Sequence, residues 1–125
     1  MIFVLLVIAV LLGGCSSASG PTYPVGGRAV AGPICPVERI PPNPACAPRP
    51  VPGAVMVITA DGGHEVARAT TATDGRWRVE LPAGTYTLTP QPVSGLMATA
   101  RPIRFTVTAT GSPANLDVAY DTGIR

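Results

Sequence analysis

From residue 26 onward, apolar and polar residues alternate in short runs broken by Gly, Pro and Asp, and nothing after Leu12 repeats apolar residues at helical spacing. A period of two places successive side chains on opposite faces of a strand. The pattern predicts seven strands, at residues 26–32, 54–60, 65–73, 76–81, 85–89, 103–108 and 115–120. The first carries Arg28 and Val30 on one face. The second is nearly continuously apolar, with Met56 and Ile58 expected to point outward. In the fourth, Trp77, Val79 and Leu81 turn inward against outward Arg76, Arg78 and Glu80. Tyr86 and Leu88, then Ile103, Phe105 and Val107, then Leu116, Val118 and Tyr120 complete the inward stripes. Stripes of this kind become dry only against a second sheet, so the expected architecture is an all-β sandwich.

The turn residues fit. Asp74-Gly75 suits the positive φ of a two-residue hairpin turn between the third and fourth strands. Leu81-Pro82-Ala83-Gly84 places Pro second and Gly fourth, as a type I turn prefers. The stretches "PVPGAVMVIT" and "TATDGRWRVELPAGTYTLT" together resemble the carboxypeptidase regulatory-like domains, relatives of the transthyretin-like sandwich. Thr73, Asp74, Gly75 and Trp77 fill one hairpin motif of that family, one residue tighter than usual; Leu81, Pro82, Gly84 and Tyr86 fill the next. The resemblance spans residues 25–121 and implies a seven-stranded antiparallel Greek-key sandwich of the transthyretin-like type, a module without catalysis.

The beginning of the chain reads differently. Residues 2–12 form an unbroken apolar run. Eleven residues would span roughly 17 Å as a helix, about half of a bilayer's hydrocarbon core and the length of a signal-peptide h-region. Leu12-Gly13-Gly14-Cys15 follows and resembles the lipobox of bacterial lipoproteins. That resemblance implies a signal peptide over residues 1–14 and a thioether-linked diacylglycerol with palmitate-type chains on Cys15. The mature protein would then be anchored to the cell membrane or outer membrane on the extracytoplasmic side. Several acyl chains on one residue hold durably where one holds marginally. No basic residue precedes the run, a departure from the lipoprotein pattern that a coding start upstream of Met1 would account for. Residues 15–24, small and turn-rich, read as a flexible tether, and residues 122–125 as a tail.

Assigning Cys15 to lipid leaves Cys35 and Cys46 as an even pair for an oxidising compartment. They bracket the middle of an insert at residues 33–52 that holds about half of the 15 prolines. A ring of about 12 residues is worth roughly 3 kcal/mol, less where proline has already stiffened the unfolded chain. Two readings compete for this insert. It caps the sandwich over Met56 and Ile58, or it is a rigid recognition surface with Glu38, Arg39 and Asn43 as polar contacts.

Charge and composition narrow the chemistry. Nine basic residues, all arginine, and seven acidic ones leave +2, too little for a binder relying on nucleic-acid phosphates. Without lysine, a lysine–asparagine isopeptide bond and a lysine Schiff base are excluded. His64 is the single histidine, so neither a metal site nor the several-histidine centre of transthyretin-like hydrolases can be assembled around it. Asp121-Thr122-Gly123 spells the aspartic-protease triplet, but no second copy exists to share a proton. No cofactor is expected. Arg76 and Arg78, with Arg68 and Arg104 nearby, form a candidate basic stripe for envelope phosphates. The function expected is a lipid-anchored module docking an envelope protein or polymer. The alternative is a transthyretin-like domain binding a small molecule.

Overall fold

A computed structural model describes residues 20–37 and 39–124; Cys15, the preceding apolar run and Glu38 lie outside these residues. Eight strands follow in order: β1 (Thr22–Gly32), β2 (Arg49–Pro50), β3 (Val55–Ala60), β4 (Glu65–Thr70), β5 (Arg76–Pro82), β6 (Gly84–Pro90), β7 (Ile103–Val107) and β8 (Val118–Asp121). One 3-10 turn, Pro44–Cys46, interrupts the insert. The strands form two sheets. One has β1 between β5 and β2 on one side and β8 on the other; the second runs β4-β3-β6-β7. Pairing is antiparallel except that β8 runs parallel to β1, with Ala29 beside Val118 and Gly32 beside Asp121.

The expected stripes make the core. Val25, Ala29, Trp77, Leu81, Val118 and Tyr120 of the first sheet face Met56, Ile58, Tyr86, Leu88, Phe105 and Val107 of the second. Each large side chain so buried contributes about 1.5–3 kcal/mol. Tyr86 and Phe105 pack with ring centroids 5.7 Å apart. Met56 and Ile58, expected to face outward, are both 0 % exposed. Their register explains it: Ile58 lies opposite Leu88 and Met56 opposite Pro90. Directly paired residues share a face, and Leu88 faces inward. The outward set of β3 is Val55, Val57 and Thr59, all half-buried.

Two turns expected within one sheet instead carry the chain between sheets. Ala72 to Gly75 does close tightly, with Gly75 N–H donating to the Ala72 carbonyl at 2.9 Å. The flanking strands then diverge, β4 to β3 and β5 to β1. Gly75 is required there twice over: its φ is +79°, and a Cβ would collide with the Ala29 carbonyl. At the next corner both Pro82 and Gly84 belong to strands, and Ala83 alone makes the step. Tyr86 folds back over Gly84, where a Cβ would meet its hydroxyl at 3.3 Å, and donates to the Pro82 carbonyl at 2.7 Å.

β1 reaches further toward the N-terminus than expected. Thr22 to Pro24, read as tether, pair with Pro82 to Glu80. At about 3.3 Å per residue, eleven residues give a strand roughly 36 Å long. It begins beside the Ala83 corner and ends at the insert. The expected seventh strand is shorter than read, because Leu116 rides the side of β1 by a single bond, its N–H donating to Gly26 at 2.9 Å.

Candidate functional site

The insert, the connection between β6 and β7, and the C-terminal tail meet at the end of the sandwich opposite Thr22. Cys35 and Cys46 are disulfide-bonded with Cα atoms 5.2 Å apart, closing the insert. Its base is clamped by the tail. Thr122 N–H donates to the Gly32 carbonyl at 3.1 Å and its hydroxyl to Pro33 at 2.5 Å. The Asp121 carboxylate accepts Gly123 N–H at 2.8 Å. The protease-like triplet is thus a structural knot. On the return side, Val51 N–H donates to Ala29 at 2.9 Å, and the Thr71 hydroxyl donates to Val51 at 2.5 Å while accepting Ala54 N–H at 2.8 Å. Met56 and Ile58 do not stand on an outer face for the insert to cap: both lie in the core between the sheets, in one cluster with Val51 of the insert.

Between insert, connection and tail opens a cleft of about 420 Å³, lined by Ile34, Arg49, Val51, Val93, Leu96 and Ile124. The most exposed large apolar residues described belong to the insert and to this connection: Ile40 at 101 %, Met97 at 70 % and Val37 at 67 %. Met97 is pinned by its N–H to the Asp121 carbonyl at 2.9 Å. Asn43, a candidate contact, spends its side-chain oxygen on Ala45 N–H at 3.0 Å to cap the 3-10 turn. Arg39 is exposed beside it.

The arginines divide sharply. Arg68 pairs with Glu65 at 2.6 Å, Arg76 with Asp74 at 3.5 Å, Arg78 with Glu80 at 3.0 Å and Arg104 with Asp61 at 3.5 Å. The Glu65 hydrogen bond raises the Arg68 guanidinium pKa above its ordinary value. Arg28 donates to the Asp74 carbonyl at 3.0 Å. Arg39, Arg49 and Arg101 have no ion pair among the described residues, and all three sit at or beside the stapled end. The expected basic stripe does not exist as one surface. Arg76 and Arg78 lie on the first sheet, while Arg68 and Arg104 lie on opposite edge strands of the second. Sequence reasoning missed Arg49 and Arg101, although a signal was present. Arg68, Arg76 and Arg78 each have an acidic partner two or three positions away, whereas Arg49 and Arg101 have none within three.

A second groove, about 540 Å³, runs past Gly26, Gly27, Trp77, Arg78 and Ser112. The Trp77 indole N–H is buried without a hydrogen-bond partner. Among the described residues no three His, Cys, Asp or Glu side chains gather in a way that could hold a metal ion.

Comparison with known proteins agrees with this architecture. Residues 47–120 match the family described as the carboxypeptidase regulatory-like domain. No curated protein is significantly similar in sequence. Among solved structures, the shaft pilin SpaA from Lactobacillus rhamnosus GG superposes with a TM-score of 0.57 at 18 % identity, covering 80 % of this chain and 48 % of the pilin. The Bacillus anthracis TIE protein gives 0.56 at 18 % identity, over 78 % of this chain and 17 % of that one. A DUF3823 family protein from Bacteroides ovatus gives 0.51 at 18 % identity, over 80 % and 44 %. The chain therefore spans less than half the length of each of these structures, and the likeness is one of fold.

Proposed function

From a chain that belongs to the carboxypeptidase regulatory-like domain family, we propose a lipid-anchored, non-enzymatic interaction module of the bacterial cell envelope, holding its stapled end out toward a partner. One observation carries the reading. The strand that leaves the N-terminal segment, β1, runs the length of the sandwich and delivers the chain into the disulfide-closed insert at the far end. A lipid on Cys15 would fix one end of the domain at the bilayer, with the cleft, Ile40 and Arg49 roughly 36 Å away along β1. The ring supports recognition because a surface rigid before contact loses little entropy on binding.

The small-molecule alternative is less well supported, since the residues that face one another between the sheets are apolar and buried. For catalysis the chain offers one histidine and a single copy of the Asp-Thr-Gly triplet. Mass spectrometry of the protein from its own membrane tests the anchor: an acylated Cys15 is expected, and an unmodified or differently cleaved N-terminus refutes it. Photo-crosslinking from position 40 in the same membrane tests the module. A specific adduct is expected there and none from position 87, on the outer face of the second sheet.

A further inference from the structure

We infer that the cleft at the stapled end receives a polypeptide segment that is both acidic and apolar, an apolar side chain entering the cleft while a neighbouring carboxylate meets Arg49 on its wall and a further one reaches Arg101 on the connection. This rests on the interaction-module reading and names its partner's chemistry.

Two independent asymmetries converge on one place. The first is charge. Four arginines on the strands are neutralised by nearby carboxylates, and Arg28 is spent on a carbonyl. Among the described residues, the remaining cations without an ion pair are Arg39 on the insert, Arg49 on the cleft wall and Arg101 in the connection whose Val93 and Leu96 line the cleft. The carboxylates described at this end are already engaged, Asp121 by Gly123 N–H and Asp74 by Arg76. The second is hydrophobicity. Ile40 and Val37 on the insert and Met97 on the connection stand in water on the two segments that wall the cleft, and the fourth large apolar residue so exposed among those described, Val66, is on β4 in the second sheet. A guanidinium on the wall of an apolar cleft favours a carboxylate over an ammonium group, and a disulfide-closed insert keeps that geometry before the partner arrives. Polypeptide supplies both chemistries at the spacing of adjacent side chains. A charged polysaccharide supplies no apolar group for the cleft.

The test uses the full chain in nanodiscs of zwitterionic lipid and three short fluorescent peptides alternating Glu with Leu, Glu with Ser, and Lys with Leu, read by anisotropy. The Glu/Leu peptide should bind saturably and weaken as salt rises. Arg49→Glu with Arg101→Glu should cost roughly tenfold in affinity, whereas Arg68→Glu, on the other sheet, should cost nothing. Should the double variant misfold by circular dichroism, Arg49→Gln with Arg101→Gln replaces it and should still weaken binding. Equal binding of all three peptides, or none by Glu/Leu, overturns the inference. So does loss of anionic-vesicle binding by the same substitutions without peptide binding, which would make a lipid surface the occupant. A crosslinked partner at position 40 that lacks acidic-apolar segments sinks this inference but leaves the module standing; no partner from any face sinks the module itself.

Discussion

Thr71 is the most sharply testable residue in the fold. It is 5 % exposed, and its hydroxyl bridges the two backbone groups where the insert re-enters the sandwich, accepting Ala54 N–H and donating to the Val51 carbonyl. Thr71→Val keeps the β-branched shape and the backbone bonds of residue 71 to Ala54 and Gly53. It removes only the oxygen, leaving a buried N–H and a buried carbonyl unpaired. Each orphaned group costs about 1–3 kcal/mol, and the buried methyl that replaces the hydroxyl offsets part of the sum, so a loss of about 2–4 kcal/mol is expected. For a domain of this size that lowers Tm by on the order of 10–20 °C and takes a large share of total stability. Thr71→Ser keeps the oxygen and should lose only about 1 kcal/mol, the worth of a buried methyl. Urea denaturation followed by tryptophan fluorescence measures both, and Trp77 is the single reporter. A Thr71→Val stability within about 0.5 kcal/mol of wild type would show that the bridge contributes nothing beyond the disulfide and the backbone bonds of Val51, Gly53 and Ala54.

Three further outcomes are expected. Cys35→Ser with Cys46→Ser should cost about 1–3 kcal/mol by denaturant titration, below the full loop-closure value because the ring is proline-stiffened; an unchanged midpoint would mean that the pairing of β1 with β2 already closes the loop. Met56→Ala, at a position 0 % exposed, should cost about 2–5 kcal/mol, while a change under 0.5 kcal/mol would place that side chain outside the core. Burial pushes the Tyr120 phenol above its ordinary value of 10.0. Its folded pKa is raised, so this stability is complete below about pH 10 and is lost as pH rises through the folded value. Tyr120→Phe should therefore flatten the fall in stability above pH 10, and an unchanged slope would refute the assignment.

The sequence made faces legible but not partners. Alternation around Trp77, Val79 and Leu81 assigned inward and outward correctly, because parity along a strand is a local property. In residues 54–60 both parities are apolar, so the face was set by pairing Ile58 with Leu88, a contact 30 positions away in sequence. The Asp74-Gly75 turn was equally clear, yet no local signal says whether the flanking strands stay together or part into two sheets. The stapled end was half-visible. Proline density and two cysteines marked the insert, but the cleft appears only when Val93, Leu96 and Ile124 arrive from elsewhere in the chain.

The length and position of β1 carry a mechanical consequence. A pull between the N-terminal segment and the insert runs along this strand, whose neighbour β5 holds it through seven consecutive residue pairs from Thr22 to Arg28. Load in that direction travels through the covalent backbone of a strand that is already extended, so it neither peels nor shears the ladder, and the ring at the far end adds no slack between Cys35 and Cys46. The domain is thus built to stay folded under tension between its two ends.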